Sequence, residues 1–150
     1  MKRVTGIVLT GFALALLSGC VNTELIADID PTADVSALQT FYVAKFPTDE
    51  KGVEAMIANE LNVMGKTATY GVDPTPPSPV DAVVTYEDKW MWDITMYMIE
   101  LTIDLRTPDT NYKFATGRSY RTSLARKSPE EMVKEVLGKL FGDQSTGEAE

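Results

Sequence analysis

Thr95-Met96-Tyr97-Met98-Ile99-Glu100-Leu101-Thr102-Ile103-Asp104-Leu105-Arg106 alternates apolar and polar side chains along most of its length. Tyr97, Ile99, Leu101, Ile103 and Leu105 fall on one side, and Glu100, Thr102, Asp104 and Arg106 on the other. That is the period of a strand with one packed and one solvated face. Its flanks read the same way. Asp81 to Trp92 precedes it with Val83, Val84, Tyr86 and Trp90, and Tyr112 to Leu124 follows the turn-forming cluster Thr107-Pro108-Asp109-Thr110-Asn111. Three consecutive strands joined by turns predict an antiparallel meander.

Further out the period changes. Ala37 to Phe46, centred on Phe41, Tyr42 and Val43, reads as a strand that Pro47 stops. Val53, Met56, Ile57, Leu61 and Met64 then recur at helical spacing behind the acidic Asp49 and Glu50, with Gly65-Lys66 as the C-cap. Tyr70 to Val80 holds Pro74, Pro76, Pro77 and Pro79, which exclude helix and interior strand and predict a stiff connector. Ser128-Pro129-Glu130-Glu131 is a helix start, with serine as N-cap, proline at the first helical position and glutamate placed to close a capping box. Val133, Val136, Leu137, Leu140 and Phe141 line one face of that helix, and Gly142 ends it. The expected fold is α+β, in the order β-α-β-β-β-α: an antiparallel or mixed sheet of about four strands with two helices on one face. This domain covers residues 37–142, behind a tether of residues 20–36 in which Ile26 and Ile29 are candidates for an earlier strand. An acidic tail, 143–150, follows it.

The chain opens with an address. Met1, Lys2 and Arg3 precede the apolar run Ile7 to Leu17, which is short for a membrane span and right for a signal peptide. The run ends in Leu17-Ser18-Gly19-Cys20, which resembles the lipobox of bacterial lipoproteins. The resemblance implies removal of residues 1–19, acylation of Cys20 and anchorage by lipid. Each buried methylene contributes roughly 0.8 kcal/mol, so several acyl chains hold what one holds only reversibly. Val21 stands where an aspartate commonly retains such proteins in the inner membrane, so the resemblance implies the periplasmic face of the outer membrane.

Composition narrows the chemistry. The 150 residues suffice for one domain of ordinary size. There is no histidine, which removes imidazole bases and His-ligated zinc. The single cysteine, Cys20, excludes an internal disulfide and a multi-thiolate metal site. Loss of Lys2 and Arg3 with the leader leaves 12 basic against 22 acidic residues, a formal charge of −10. Such a surface argues against nucleic acid and against electrostatic docking to anionic headgroups.

Asp28-Ile29-Asp30-Pro31-Thr32-Ala33-Asp34-Val35 leading into Leu38-Gln39-Thr40-Phe41, then Asp81 to Tyr86, Leu101 to Leu105 and the Ser128-Pro129-Glu130 helix resemble a family of small bacterial envelope lipoproteins whose domain has no known function. The resemblance covers most of residues 25–141 and implies a fold and an envelope location, with no activity attached. It departs at the proline-rich connector and at Trp90-Met91-Trp92-Asp93.

Three constellations invite chemistry. Asp28, Asp30 and Asp34 have the spacing of calcium ligands, but Ala33 and Gln39 stand where an EF-hand loop needs glycine and glutamate, so turn and capping carboxylates are expected and no metal or cofactor. Glu87, Asp88 and Asp93 near aromatics suggest a glycosidase pair, yet a small sheet with two helices rarely builds the cleft, and no Ser-x-x-Lys signature follows Cys20. The expectation is no enzyme. The third constellation is aromatic. If Tyr97, Ile99 and Leu101 face the helices, Met96 and Met98 face away, where some of Tyr86, Trp90, Trp92, Arg118 and Tyr120 can join them. Large semi-rigid side chains of these types make protein recognition surfaces. Register decides whether that face is open for an envelope protein partner or a second copy, or is covered. The expected function is a non-enzymatic, lipid-anchored interaction or assembly module. The alternative is a carrier of a small molecule or lipid in a cavity lined by Met56, Ile57, Ile99 and Val136.

Overall fold

The computed structural model describes residues 22–142. Cys20, the leader and the acidic tail expected at 143–150 lie outside the described residues. The strands are β1 (Thr23–Ile29), β2 (Thr40–Ala44), β3 (Thr67–Gly71), β4 (Ala82–Asp93), β5 (Thr95–Arg106) and β6 (Lys113–Arg121). The helices are α1 (Val53–Val63) and α2 (Pro129–Phe141). They form one six-stranded sheet, ordered β1-β6-β5-β4-β2-β3, with both helices on one face.

The expected class holds and the strand count does not. Two edge strands were not among the four expected. Thr23–Ile29, read as tether, pairs antiparallel with β6, from Thr23 opposite Arg121 to Ile29 opposite Ala115. Its Leu25, Ala27 and Ile29 pack against the core. Thr67–Gly71 pairs parallel with β2 immediately after α1. Because β2 also runs parallel to β4, the sheet is mixed. The chain must therefore return the length of the sheet between β3 and β4, and the proline-rich connector does so over the face away from the helices. There Tyr42 Oη donates to Asp73 O at 2.8 Å, and Tyr42, Ala44 and Val83 form a small second cluster with Val80. An extended polyproline-like segment of ten residues covers about 30 Å, enough for that return.

Local chemistry builds the helices as expected. Ser128 and Glu131 close the capping box of α2. Beyond α1, Gly65 adopts φ 83° and the Lys66 N–H reaches back to Leu61 O at 3.0 Å. Phe41, Val43, Ile57, Leu61, Leu101, Ile103, Leu105, Val136, Leu137 and Leu140 fill the layer between helices and sheet. Each large apolar side chain buried there contributes roughly 1.5–3 kcal/mol. Gly117 lets α2 approach β6, since a Cβ at that position would lie 2.8 Å from Val136 Cγ1.

One irregularity changes which residues face the helices. Lys89 pairs with Glu100 but Trp90 pairs with Met98, so Ile99 is an extra residue on β5. A bulge of this kind shifts the alternation by one. Leu101, Ile103 and Leu105 face the core as expected, whereas beyond Ile99 it is Met98 that is buried. The expected outward placement of Met98 is thereby corrected.

Candidate functional site

β4 and β5 outrun the sheet. β2 pairs with β4 only at Ala82 to Val84, and β6 pairs with β5 only from Glu100 onward. Residues 88–99 therefore project as a two-stranded arm from one end of the molecule. Along it Trp90 pairs with Met98, Met91 with Tyr97, and Trp92 with Met96, and Asp93 and Thr95 flank the single tip residue Ile94. Ile94 has φ 62°, a left-handed conformation strained for a β-branched residue, and is 87% exposed. Trp92 is 69% exposed, Met96 51% and Met91 46%.

The arm is held at its base and along one flank. Trp90 packs against the core, donates from Nε1 to Asp88 Oδ2 at 2.5 Å and lies under Lys51 Nζ, 5.6 Å from the ring centre. Arg126, just past β6, stacks on Tyr97 at 4.1 Å. Its guanidinium donates to Thr95 Oγ1 at 2.8 Å and to Asp93 Oδ2 at 3.0 Å. That contact brings the segment carrying Leu124, 83% exposed, to the same end.

The expected constellation is divided. Met98 and Tyr86 are core, Trp90 is half-buried, Tyr97 lies on the side opposite Met98 rather than toward the helices, and only Trp92 and Met96 are open. Arg118 and Tyr120 lie elsewhere, on the sheet face away from the helices. That face is polar rather than apolar. Arg118 pairs with Glu24 and, at 2.8 Å, with Glu100, which also accepts from Lys89 at 2.7 Å. The Arg118 hydrogen bond, outweighing the opposing effect of burial, holds the Glu100 carboxyl below its ordinary range. Arg118 also covers the Tyr120 ring. Met91, Ile94, Leu124 and Arg126 were missed. The signal for Met91 and Ile94 was a nine-residue run, Trp90 to Met98, with Asp93 as its one charge, in a turn where glycine or asparagine is usual; Leu124 and Arg126, thirty residues on, had none.

Elsewhere the charged groups have structural work. Burial pushes the Asp49 carboxyl up, but hydrogen bonds donated by Tyr86 and by the Lys51 and Val53 N–H groups outweigh it and hold the group at about 2. Asp49 thereby caps the start of α1, and Lys45 lies 3.3 Å from the adjacent Glu54. Burial and the Asp49 hydrogen bond push the Tyr86 hydroxyl up. Glu135 is likewise raised by burial and lowered further by Arg121, Lys127 and Ser119, for a net downward shift. Asp30 accepts from Thr32 and Tyr112, and Asp34 caps the short helical turn Val35–Ala37; among the described residues no three metal-ligating side chains converge. Glu87 stands exposed beside a groove of about 510 Å³ on the polar sheet face, whereas Asp93 sits at the arm's tip with Arg126. They form no facing pair. The four residues expected around a carrier cavity are also dispersed. Ile57 and Val136 are fully buried in the packed core, Ile99 is the bulge, and Met56 lines an open groove of about 660 Å³ beside β3.

No family model and no curated protein sequence matches the chain. Among solved structures, a variant of PelC from Paraburkholderia phytofirmans, a dodecamer, is 15% identical, with a TM-score of 0.60 over 82% of this chain and 100% of that one. A second PelC dodecamer structure from the same organism gives 14%, 0.58 and the same coverage. A minor lipoprotein from Acinetobacter baumannii is 13% identical, with a TM-score of 0.31 over 65% of this chain and 83% of that one. At these identities the likeness to PelC shows a shared fold. Among the described residues no helix is long and apolar enough to cross a membrane.

Proposed function

We propose that this protein is a lipid-anchored, non-enzymatic module on the periplasmic face of the bacterial outer membrane, which works by docking to another envelope component or to further copies of itself. The observation that carries this reading is the projecting arm, which presents Met91, Trp92, Ile94 and Met96 with nothing among the described residues covering them. Large apolar side chains gathered at a protrusion are costly to leave in water and stabilising once buried against a partner. The amino-terminal Leu17-Ser18-Gly19-Cys20 supports the anchor, and the dodecameric state of the PelC structures supports self-association as one form of docking. The carboxylates of Asp49, Glu100 and Glu135 are engaged in caps and ion pairs, which leaves none of them free as a general acid or base.

The test is a photoreactive residue at Trp92, irradiated in intact cells, with the same residue at the exposed Val63 of α1 as control. Adducts at 92 and not at 63 support docking through the arm. Equal labelling at both positions, or none at either, overturns it.

A further inference from the structure

We infer that the tip of the arm docks into the lipid–water interface of the leaflet that holds the acyl chains, as a second attachment point; this rests on the lipid anchor proposed above and takes the membrane itself as the envelope component to which the arm docks. The topology carries it. β1 runs antiparallel to β6, and its first residue, Thr23, pairs with Arg121 beside the Tyr120–Glu100 pair from which the arm departs. The amino terminus of the sheet and the arm therefore share one end of the molecule. Cys20 is three residues before Thr23, so the chain can place its lipid at most about 10 Å from there. From Glu100 to Thr95 the arm advances about 17 Å in the same direction. An acyl group at Cys20 thus brings the membrane within reach of the tip.

The arm has the chemistry for that medium. Between Trp90 and Met98 the single charge, Asp93, is neutralised by Arg126. Pairing puts the exposed Trp92 and Met96 on one face and the exposed Met91 on the other, beside the Tyr97 ring that Arg126 covers, and Ile94 caps both. A tip apolar on two faces suits an environment that surrounds it better than a flat partner that covers one side. Trp and Tyr settle at the headgroup level, where ring and polar edge are both satisfied. The projection is too short for the roughly 30 Å hydrocarbon core, so the arm rests in the interface and does not cross. Attachment through acyl chains and an apolar tip calls on no attraction between the acidic body and anionic headgroups.

The experiment uses the full chain purified from bacterial membranes and placed in vesicles of phosphatidylethanolamine and phosphatidylglycerol, with or without bromine on the acyl chains. The two tryptophans are separated by Trp90→Phe, which leaves Trp92 as reporter, and Trp92→Phe, which leaves the half-buried Trp90. The mass of the Cys20 peptide is read in parallel. Quenching of Trp92 by roughly half with little change at Trp90 is expected, together with loss of the Trp92 quenching in Ile94→Asp. An acylated chain whose Trp92 is not quenched overturns the inference and leaves the anchor standing. Quenching without an acyl group keeps the tip's docking and overturns the anchor. Absence of both overturns both. A protein adduct at Trp92 in cells, with no quenching in vesicles, would assign the arm to a protein partner instead.

Discussion

Asp49 shows how one side chain can organise the start of an element. Its carboxylate accepts from the backbone N–H groups of Lys51, Gly52 and Val53 and from Tyr86 Oη. Its pKa falls from an ordinary 3.8 to about 2, so the ionised group stabilises the fold above pH 4, and that contribution is lost as the pH falls through about 2. In urea denaturation Asp49→Asn is expected to be less stable than wild type by on the order of 2 kcal/mol at pH 7, with the gap closing as both are taken below pH 3. A gap independent of pH would assign the loss to packing. Gly117 makes the complementary point about space. A methyl there would meet Val136 and Leu140 at 3.0 Å or less, so Gly117→Ala should lower stability by about 1–3 kcal/mol, read as a reduced melting temperature. Neither role was legible beforehand. Asp49 read as first-turn charge, because its cap precedes the helix by four residues and is completed by the distant Tyr86, and Gly117 read as an ordinary strand residue, because Val136 and Leu140 are distant in sequence.

At the scale of elements, legibility followed the strength of local signals. Ser128, Pro129 and Glu131 announce α2 through contacts within one turn, and Leu101, Ile103 and Leu105 announce β5 by alternation. The edge strands carried no such signal. Thr67-Ala68-Thr69-Tyr70-Gly71 follows a helix C-cap and leads into prolines, and β1 sits close behind Cys20, so both read as connection. What makes them strands is the backbone of β2 and β6 waiting beside them. The bulge at Ile99 was invisible for a different reason, since an inserted residue reverses the facing of its neighbours without altering composition. That reversal turns Met96 and Met98 alike to the helix side and so splits the expected aromatic face; Met98 is buried at the arm's base, whereas Met96 lies beyond the core and stays open. β1 offers a direct check. Ala27 lies opposite Gly117 and packs toward the core, so Ala27→Asp should cost about 2 kcal/mol and lower the melting temperature by about 5–10 °C. A residue in a tether would tolerate the change.

For the whole molecule, charge and attachment act together. On the reading proposed here the chain without its leader carries a formal −10, and its hold on the membrane is apolar, through lipid and arm. Cys20→Ser should therefore release most of the protein from the membrane pellet into the soluble fraction of fractionated cells, and added salt should not reproduce that release. Retention of the variant in the pellet would show that attachment does not need the acyl chains. The pairing of β1 with β6 has a further consequence, for the order in which the molecule comes into being. Thr23 and Arg121 are almost a hundred residues apart, and α2, which covers that pair, comes last. Strand β1 thus has no neighbour until Arg121 has followed it out of the ribosome or translocation pore. Closing so long a loop is slow. This edge of the sheet is consequently completed after the pairs among β2, β3, β4 and β5 have their partners at hand, and β1 remains threadable until then.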